Sequence, residues 1–345
     1  MRAPWFGFGR LAIATIAAVY FLIFVGGLVR ASGSGMGCPD WPKCFGRWVP
    51  PTSESQLPPD YQERWAEHGY DAARFNVWKT WTEYGNRMIG VVIGLLVFAT
   101  LLRSLRFWRD DRAIVAWSAA AFVLVGFNGW LGSIVVSSNL EPWLVTAHMV
   151  AALAVVAALL LALERAARGV LERLHVTATR GTGALFLAAV TLSLAQLVLG
   201  AQVREEVDLL LNAGRDRATW AENLGPLVLV HRSFALAVLL ANLGLAWRLW
   251  REAARAPLLR RLATAIAGVT AIEIAAGAGL YYLGFPAVLQ PVHLLFASIL
   301  LGLQFLAWTA WRHAAGAAVP AVLGDSGPAS RAVRAARSTS ASSGS

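Results

Sequence analysis

The chain has 345 residues, and its 30 lysines and arginines outnumber its 20 aspartates and glutamates to give a formal net charge of +10. Hydrophobic residues make up 57% of the sequence, charged residues 14%, and the mean hydropathy is +0.56. These values exclude a soluble globular protein. Because most of the arginines lie in loops between apolar runs, the positive charge does not require a nucleic-acid partner.

Apolar runs of about 18–25 residues recur along the chain, and ~20 such residues cross the ~30 Å hydrocarbon core of a bilayer. The first run follows Arg2 and Arg10, as the core of a signal peptide would, but it lacks an A-x-A cleavage site and is too long for such a core. We therefore expect a retained helix there and an all-α integral membrane fold. The eight predicted spans are residues 11–29, 81–102, 113–136, 142–163, 182–203, 226–247, 262–283 and 287–311.

Loop charges predict the orientation of these spans. The loops after the second, fourth and sixth spans are rich in arginine, whereas the loops after the third and seventh contain neither lysine nor arginine. Under the positive-inside rule, both termini are then cytoplasmic. A tail at residues 314–345 is rich in alanine, serine, glycine and arginine and is predicted to be disordered.

Two halves of the sequence resemble each other at fixed offsets, one pair of segments at 174 residues and two pairs at 145 residues. An even number of spans per repeat gives both halves the same orientation, so the pattern predicts two tandem four-helix bundles. The predicted parts are an N-terminal half at 1–163 with a long external loop at 31–80, a cytoplasmic linker at 164–180 and a C-terminal half at 181–313. The aligned pairs are Gly26–Arg30 with Gly200–Arg204, Asn86 with His231, and His148 with His293.

Three of the six histidines, His148, His231 and His293, lie inside predicted spans. Polar side chains are costly there and either serve a function or bond to one another across helices. His231 and His293 come from two helices at one depth, roughly 8–10 Å below the outer interface, which suits the two axial ligands of a haem. Zinc is disfavoured because the pattern indicates no further cysteine, histidine or carboxylate ligand at that depth. The remaining histidines are expected to be solvated or interfacial: His68, His175 and His313.

Four arginines flank these positions near the outer side of the membrane. Arg87 and Arg232 directly follow the ligand positions of the second and sixth spans, and Arg30 and Arg204 close the first and fifth spans. A guanidinium group can bind a haem propionate through two parallel hydrogen bonds. Alternatively, these side chains extend to the lipid headgroups.

The first half differs from the second in its ligands. His148 is its strong haem ligand, because the position that aligns with His231 holds Asn86 and an amide binds iron poorly. Glu83 lies three residues before Asn86 and therefore on the same helix face. A carboxylate beside a haem with an open coordination position suits a reactive site, so Glu83, Asn86 and His148 are the predicted catalytic residues. The alternative is an exposed Glu83 that favours the N-terminus of its helix.

The two cysteines, Cys38 and Cys44, lie in the segment GMGCPDWPKC on the predicted outer side. Such a close pair in an oxidising compartment predicts a disulfide. It is either a structural link or a redox-active dithiol that exchanges electrons with the site, and both interpretations stay open. Further along this loop, the pattern of residues 61–75 predicts a short amphipathic helix over the outer mouth.

Together these motifs resemble the haem A synthase family over roughly residues 10–311. The matching segments are VGGLVRASGSGMGCPDWPKCFG, WTEYGNRMIG, LGAQVREEVD, LVLVHR and PVHL, with His148 near the outer end of its span. The resemblance implies an eight-helix protein of the prokaryotic plasma membrane, with haem sites near the outer face, one haem b cofactor and haem O as substrate. The implied reaction oxidises the C8 methyl group of haem O to a formyl group by successive hydroxylations, for cytochrome oxidase biogenesis.

The chain departs from the commonest family motif at Asn86, where E-x-x-H-R has a histidine. Either haem O is five-coordinate and Asn86 bonds to a water or oxygen ligand, or the activity is changed or lost. A working variant is favoured, because Glu83, Arg87 and His148 remain. The resemblance implies these further roles: ligation of haem b iron by His231 and His293, contact of His148 with the haem O iron, a functional glutamate at Glu83, and an external cysteine pair at Cys38 and Cys44.

The resemblance also implies partners, namely the farnesyl-transferring synthase that supplies haem O and the lipid bilayer; a quinone or thiol redox partner and a homo-oligomer stay open. Two other functions stay open as well. A quinol-linked haem electron carrier without methyl oxidation predicts a bis-His site in both halves, which Asn86 argues against. A haem transporter or assembly factor predicts labile ligation, whereas the paired His231 and His293 favour a retained haem.

Overall fold

The computed structural model describes residues 4–70, 74–171, 176, 179, 181–254 and 256–316. His175 and most of the predicted tail, residues 317–345, lie outside this part of the chain. Within it, eight helices are long and apolar enough to cross a membrane. They are α1 (Pro4–Ala31), α2 (Val77–Ser104), α3 (Arg112–Ser137), α4 (Pro142–Ala166), α5 (Thr182–Asn212), α6 (Leu227–Glu252), α7 (Pro257–Tyr282) and α8 (Leu289–Gly316).

The long helices pack in two closed rings of four. Helices α2 and α4 each contact both α1 and α3, so that α1–α4 form the first ring. Helices α5–α8 form the second ring through the corresponding contacts. The rings meet where α8 packs against α1 and α4 and where α4 touches α5. The prediction of eight membrane-spanning helices in an all-α fold is confirmed.

Five helices, α1, α5, α6, α7 and α8, extend at least five residues beyond the predicted spans at one end, and two of them show why. Helix α5 continues beyond residue 203 to Asn212, through a charged segment. Arg204 and Asp208 stand one turn apart in this segment and form an ion pair of 2.6 Å that supports the helix. Helix α7 begins at Pro257 rather than at residue 262, because proline is well tolerated in the first turn, where an N–H has no helical partner.

The segment between α1 and α2 has a small core of its own. Phe45 packs edge-on against Trp65, Tyr70 and Phe75, with ring centroids 5.1, 5.2 and 5.7 Å away. Burial raises the pKa of the Tyr70 phenol, which stays neutral and donates to the carbonyl of Met36 at 2.7 Å. This folded segment lies over the first turns of α2.

The prediction of one amphipathic helix over residues 61–75 is wrong. A single helical turn at Tyr61–Arg64 is followed by a separate 3-10 turn at Ala66–His68. Gly69 then takes a left-handed conformation with a φ of 77°, which ends the turn. The apolar residues at helical spacing in this segment pack in the aromatic core of the loop and do not form one face of a helix.

Candidate functional site

The three intramembrane histidines sit near the same ends of their helices. His148 lies six residues after the first residue of α4, and His231 and His293 lie four residues after the first residues of α6 and α8. At 1.5 Å per residue, these positions are about 6–9 Å along their helices. Asn86 stands deeper in α2, which begins further out, at Val77.

A cavity of about 530 Å³ lies within the second ring. His231 and His293 both line it, together with Glu273 of α7, and α1 and α4 of the first ring contribute to one side. Cavities of ~300–1,000 Å³ are the usual size for sites that hold organic ligands and cofactors. The structure therefore brings the two histidines predicted as haem b ligands to one cavity.

Glu273 was missed in the sequence interpretation, which found no carboxylate at the depth of the histidine pair; that statement is wrong. Its Oε2 atom lies 3.0 Å from Nδ1 of His293, at ion-pair distance, although the ring N–H is not aligned for a hydrogen bond. Within the described residues, no group of three or more cysteine, histidine or carboxylate side chains is placed to hold a metal ion. A carboxylate this close to the second nitrogen of an imidazole favours positive charge on the ring and raises its basicity as a ligand.

The second imidazole of the cavity has an amide beside it. Gln196 on α5 donates to the backbone carbonyl of His231 at 3.0 Å, and its Nε2 atom lies 3.3 Å from Nε2 of the ring. Nδ1 of His231 is buried without a hydrogen-bond partner. Gln196 was not singled out from the sequence, because an isolated glutamine in an apolar run carries no motif.

Each of the three histidines rests against a glycine of a neighbouring helix, close to its Cε1 atom. A Cβ atom on the glycine would lie 3.2 Å from His148 at Gly132, 3.1 Å from His231 at Gly200, and 3.4 Å from His293 at Gly277. A larger residue would push the ring, because packed interiors have little free space. The repeat offset of 145 residues also relates Gly132 to Gly277, so a sequence signal for these contacts existed.

The first ring has a different set of polar groups around His148. Nδ1 of His148 lacks a hydrogen-bond partner and faces the backbone of Asn128, the residue that aligns with Glu273. Oδ1 of Asn86 is also buried without a partner. No atom lies within 4 Å of the Cβ position of Gly26, which aligns with Gly200. The place that a histidine fills in the second ring is therefore open beside α1.

Glu83 is buried and bonded to the loop between α1 and α2. Its Oε2 atom accepts a hydrogen bond of 2.8 Å from the backbone N–H of Cys38, and its other oxygen pairs with Arg87, one turn along α2. With 4% of its surface exposed, Glu83 is not the interfacial side chain of the alternative interpretation. Among the described residues, no hydrogen bond joins Glu83 or Asn86 to His148.

Arg87 ties the same loop to α2. Nη1 donates to the carbonyls of Asp40 and Lys43 at 2.6 and 3.0 Å, and Nη2 donates to the carbonyl of Cys38 at 3.2 Å. Cys38 and Cys44 form the predicted disulfide within this loop. In this structure the Arg87 guanidinium is thus engaged by backbone carbonyls and Glu83.

Glycine allows the loop to approach α2 so closely. A Cβ atom on Gly37 would stand 2.3 Å from the carbonyl oxygen of Lys79, a distance that no side chain can adopt. The next residue of α2, Thr80, donates its hydroxyl to the carbonyl of Gly37 at 2.8 Å. The disulfide loop and the first turns of α2 therefore form one packed unit.

The arginines at the helix ends share a carboxylate that the sequence interpretation missed. Arg30 and Arg204 lie 2.7 and 2.6 Å from the two oxygens of Asp208, and both line the rim of the cavity. Arg232 lies with its guanidinium carbon 4.1 Å from the ring centroid of Tyr281. Arg30, Arg204 and Arg232 are therefore all at the cavity, where Asp208 balances the charge of two of them.

His313, which the sequence predicts to be solvated or interfacial, is paired with a buried carboxylate of α4. Its Nε2 atom contacts Oε1 of Glu164, a side chain with 5% exposure at the inner end of α4. An ionisable group buried at a helix interface requires a partner, which α8 supplies. His68 contacts the loop after α3, with Nδ1 2.7 Å from Oδ1 of Asn139.

The polar groups of both rings fit a haem. Most of the buried side-chain atoms that lack a hydrogen-bond partner belong to residues around the intramembrane histidines, although such atoms are rare in folded proteins. Imidazoles from different helices, a largely apolar wall and arginines at the outer rim are the groups that bind the iron, the ring and the propionates of a haem. The residues present are thus suitable for this group.

Eight long apolar helices around partly buried histidines define a multi-pass integral membrane protein with polar sites inside its bundles. A model of the COX15-CtaA family, described as cytochrome oxidase assembly protein, matches residues 9–305. Because this match covers most of the chain, the protein belongs to that family.

Individual relatives carry the name Heme A synthase. A protein of Brucella ovis is 24% identical over 340 residues, which cover 87% of this chain and 90% of the relative. A protein of Methylobacterium radiotolerans is 29% identical over 61% of this chain and 59% of the relative. One of Shewanella oneidensis is 29% identical over 43% of this chain, and the matched segment spans 42% of the length of that relative.

Proposed function

We propose that this protein is a haem A synthase, which oxidises the C8 methyl group of haem O to a formyl group by successive hydroxylations. The observation that carries the proposal is the convergence of His231 and His293 on one cavity, in a chain whose relatives are named Heme A synthase. The product serves the assembly of cytochrome oxidase, in agreement with the family description.

His231 and His293 hold haem b in the second ring. When bound, haem b supplies an iron that accepts and passes on electrons. Glu273 orients the ring of His293 through their 3.0 Å contact, and Gly200 gives the ring of His231 its space. Arg30, Arg204 and Arg232 stand at the rim of the cavity and neutralise the haem propionates. Arg30 and Arg204 then bond to a propionate as well as to Asp208.

The first ring is the substrate site. His148 would face the iron of haem O, and Asn86, whose buried Oδ1 has no hydrogen-bond partner, would bond to a water or oxygen ligand there. Glu83 receives or returns a proton near the reacting methyl group. Because its oxygens are bonded to Cys38 N–H and Arg87, this role requires that one of these contacts opens. Arg87, one turn along α2, either binds a haem propionate or serves as the counter-ion of Glu83.

We also propose that the two halves are a tandem repeat and that both termini are cytoplasmic. The haem sites then lie near the outer face of a prokaryotic plasma membrane. This arrangement divides the chain into residues 1–163, 164–180, 181–313 and 314–345. The two closed helix rings and the shared offset of 145 residues support it. The partners are the synthase that makes haem O and a quinone or thiol that exchanges electrons on the outer side, where the Cys38–Cys44 disulfide lies. Assembly into a homo-oligomer is compatible with the apolar outer faces of the helices.

A second function, electron transfer between quinol and haem b without methyl oxidation, is favoured by one observation. One oxygen of Glu83 accepts a hydrogen bond from the disulfide loop and the other pairs with Arg87, as they would if this residue had a structural role. A haem-handling assembly factor is less well supported, because two histidines on different helices suit a retained haem.

Co-expression with a source of haem O and analysis of the extracted haems tests the proposal. Haem A or a hydroxylated haem O is expected, and the absence of both would refute the synthase function. Replacement of His231 or His293 by alanine is expected to remove the haem b spectrum. Glu83→Gln is expected to lower conversion about 100-fold while the haem b spectrum stays intact.

Glu205→Gln is the matched control for the glutamate. Glu205 lies on the outer extension of α5 and lines a different, outer pocket near Arg74 and Lys79. Its replacement is expected to leave conversion unchanged. Equal losses in both variants would indicate that outer-face charge, and not a proton at Glu83, controls the reaction.

A further inference from the structure

Three polar side chains form a hydrogen-bonded cluster at the floor of the second-ring cavity. Nε2 of Gln304 on α8 donates to Oγ of Ser193 on α5 at 2.8 Å and to Oδ1 of Asn242 on α6 at 2.6 Å. Nδ2 of Asn242 also lies 3.3 Å from Oγ of Ser193. Ser193 lines the cavity, and Gln304 and Asn242 stand fully buried behind it. We call these three residues the polar triad.

The triad stands at the edge of an apolar interior. Beyond it, in the inner half of the second ring, lie the fully buried side chains of Leu245, Leu249 and Ile266. Oε1 of Gln304 is buried without a hydrogen-bond partner. Within the described residues the triad therefore does not continue as a polar path toward the inner face, and its contacts fasten α5, α6 and α8 together at one level.

At the three positions that align with the triad, the described residues of the first ring are apolar. At the offsets of the internal repeat, Ser193 aligns with Val19, and Asn242 and Gln304 align with Val97 and Leu159. These three apolar side chains are buried in one hydrophobic cluster of the first ring, with exposures of 4%, 0% and 0%. The aligned positions are thus polar in the second ring and apolar in the first, where the buried contact of 2.9 Å between the Thr15 and Thr100 hydroxyls lies about one turn away.

We infer that the polar triad makes the second-ring cavity select a haem without an isoprenoid chain, so that haem O is directed to the first ring. This inference rests on the proposed function. Haem O carries a hydroxyethylfarnesyl group in place of one vinyl group of haem b, on the part of the ring edge away from the propionates. With propionates at the rim beside Arg30 and Arg204, that edge faces the floor.

An isoprenoid chain at the floor of the second ring has to separate three helices that hydrogen bonds hold together. Its passage would break the bonds from Gln304 to Ser193 and Asn242 and leave buried amide groups without partners, which is unfavourable in an apolar interior. In the first ring, the same chain exchanges contacts with Val19, Val97 and Leu159 for other apolar contacts. The two rings thereby discriminate between substrate and cofactor.

The test uses full-length protein with His148→Ala, which removes the ligand of the first ring, purified from cells that make both haem B and haem O. Extracted haems are separated by chromatography and quantified per protein chain. The background protein is expected to hold haem b nearly exclusively. Adding S193V, N242V and Q304L, the residues of the first ring, is expected to raise the ratio of haem O to haem b at least about tenfold.

Thr270→Val is the matched control. Thr270 lines the same cavity and is 2% exposed, but its hydroxyl donates to the carbonyl of Ile266 within its own helix, at 2.7 Å. It is expected to leave the haem ratio unchanged, and an equal shift in this variant would overturn the role of the triad. If the triple variant does not fold, Q304L alone, which breaks both bonds made by Gln304, is expected to shift the ratio in the same direction.

Different results refute the selection by the triad and the proposed haem b site. An unchanged ratio of haem O to haem b in a folded variant that holds haem overturns the selection by the triad and leaves the haem b site intact. Loss of all haem from the His148→Ala background refutes the proposed haem b site, and this inference with it. Thermal unfolding of each variant, followed without reference to activity, shows which proteins are folded.

Discussion

Gly200 lies so close to His231 that a Cβ atom on the glycine would stand 3.1 Å from Cε1 of the imidazole. The contact joins α5 to α6 at the level of the second-ring cavity and leaves the ring little freedom to rotate. Gly277 and His293 repeat the relationship between α7 and α8 at 3.4 Å. Backbone surfaces of neighbouring helices, in addition to side chains, thus position both histidines.

Gly200→Ala is expected to weaken haem retention about tenfold, as changes in the groups that orient a metal ligand commonly do. The added methyl group displaces the His231 ring by a few tenths of an ångström from its position over the cavity. Haem per chain and the low-spin absorbance spectrum of purified protein measure the effect. Gly244→Ala on α6, where no atom lies within 4 Å of the added methyl, is the control and is expected to keep its haem. Equal haem contents would show that the contact does not orient the imidazole.

Glu273→Gln is expected to raise the midpoint potential of the haem in the second ring. The carboxylate 3.0 Å from Nδ1 of His293 makes the imidazole a more basic ligand and favours the ferric state. Its replacement by a neutral amide removes this preference, and a tenfold change corresponds to about 60 mV for one electron. Redox titration of the purified protein measures the shift. Glu205→Gln, outside the cavity, serves as the control, and an equal potential in both variants and the parent protein would contradict the role of Glu273.

The sequence predicted much of this architecture because hydropathy and repeat offsets are linear signals. Span length identified the eight helices, and the aligned histidines identified His231 and His293, which line one cavity. The short spacing of Cys38 and Cys44 predicted their disulfide. In each case the feature depends on residue type at a fixed spacing, which one sequence displays.

The missed residues depend on which helices become neighbours. Glu273 and Gln196 were single polar residues in apolar runs, and Asp208 was one of several charges in a short segment. Their roles are visible only when they meet His293, His231 and the paired arginines. The loop at residues 61–75 was misassigned for a related reason, since helical spacing there reflects packing on Phe45. Tertiary contacts, unlike hydropathy, leave weak marks in a single sequence.

His313→Ala is expected to lower the free energy of unfolding by about 1–2 kcal/mol, because Glu164 then stays buried without its partner. The expected change in the free energy of unfolding is modest because the His313 side chain is 22% exposed. The His313–Glu164 contact joins α8 to α4 and therefore links the two rings. It lies at the ends of these helices away from the intramembrane histidines. Thermal unfolding in detergent measures the change. His68→Ala removes a histidine contact in the external loop and is the control, and a His313→Ala protein as stable as this control would contradict the prediction.

Asn86→His is expected to give the first ring a second imidazole ligand. Gly26 has open space at its Cβ position, whereas the aligned Gly200 is in contact with His231, so the first ring has room for an imidazole at the equivalent place. The variant is expected to retain haem O more tightly and to show a second low-spin haem signal. The number of low-spin haems per chain then rises from about one to about two. Electron paramagnetic resonance and haem quantification measure both.

Two further variants distinguish ligation from a general change in the first ring. Asn86→Leu has similar size without a ligating atom and is expected to show the haem b signal alone. Gly26→Val added to Asn86→His fills the open space beside α1 and is expected to abolish the second signal, because the new imidazole can no longer adopt the position that His231 has beside Gly200. A second low-spin signal that survives Gly26→Val would show that the two rings do not place their ligands in the same way.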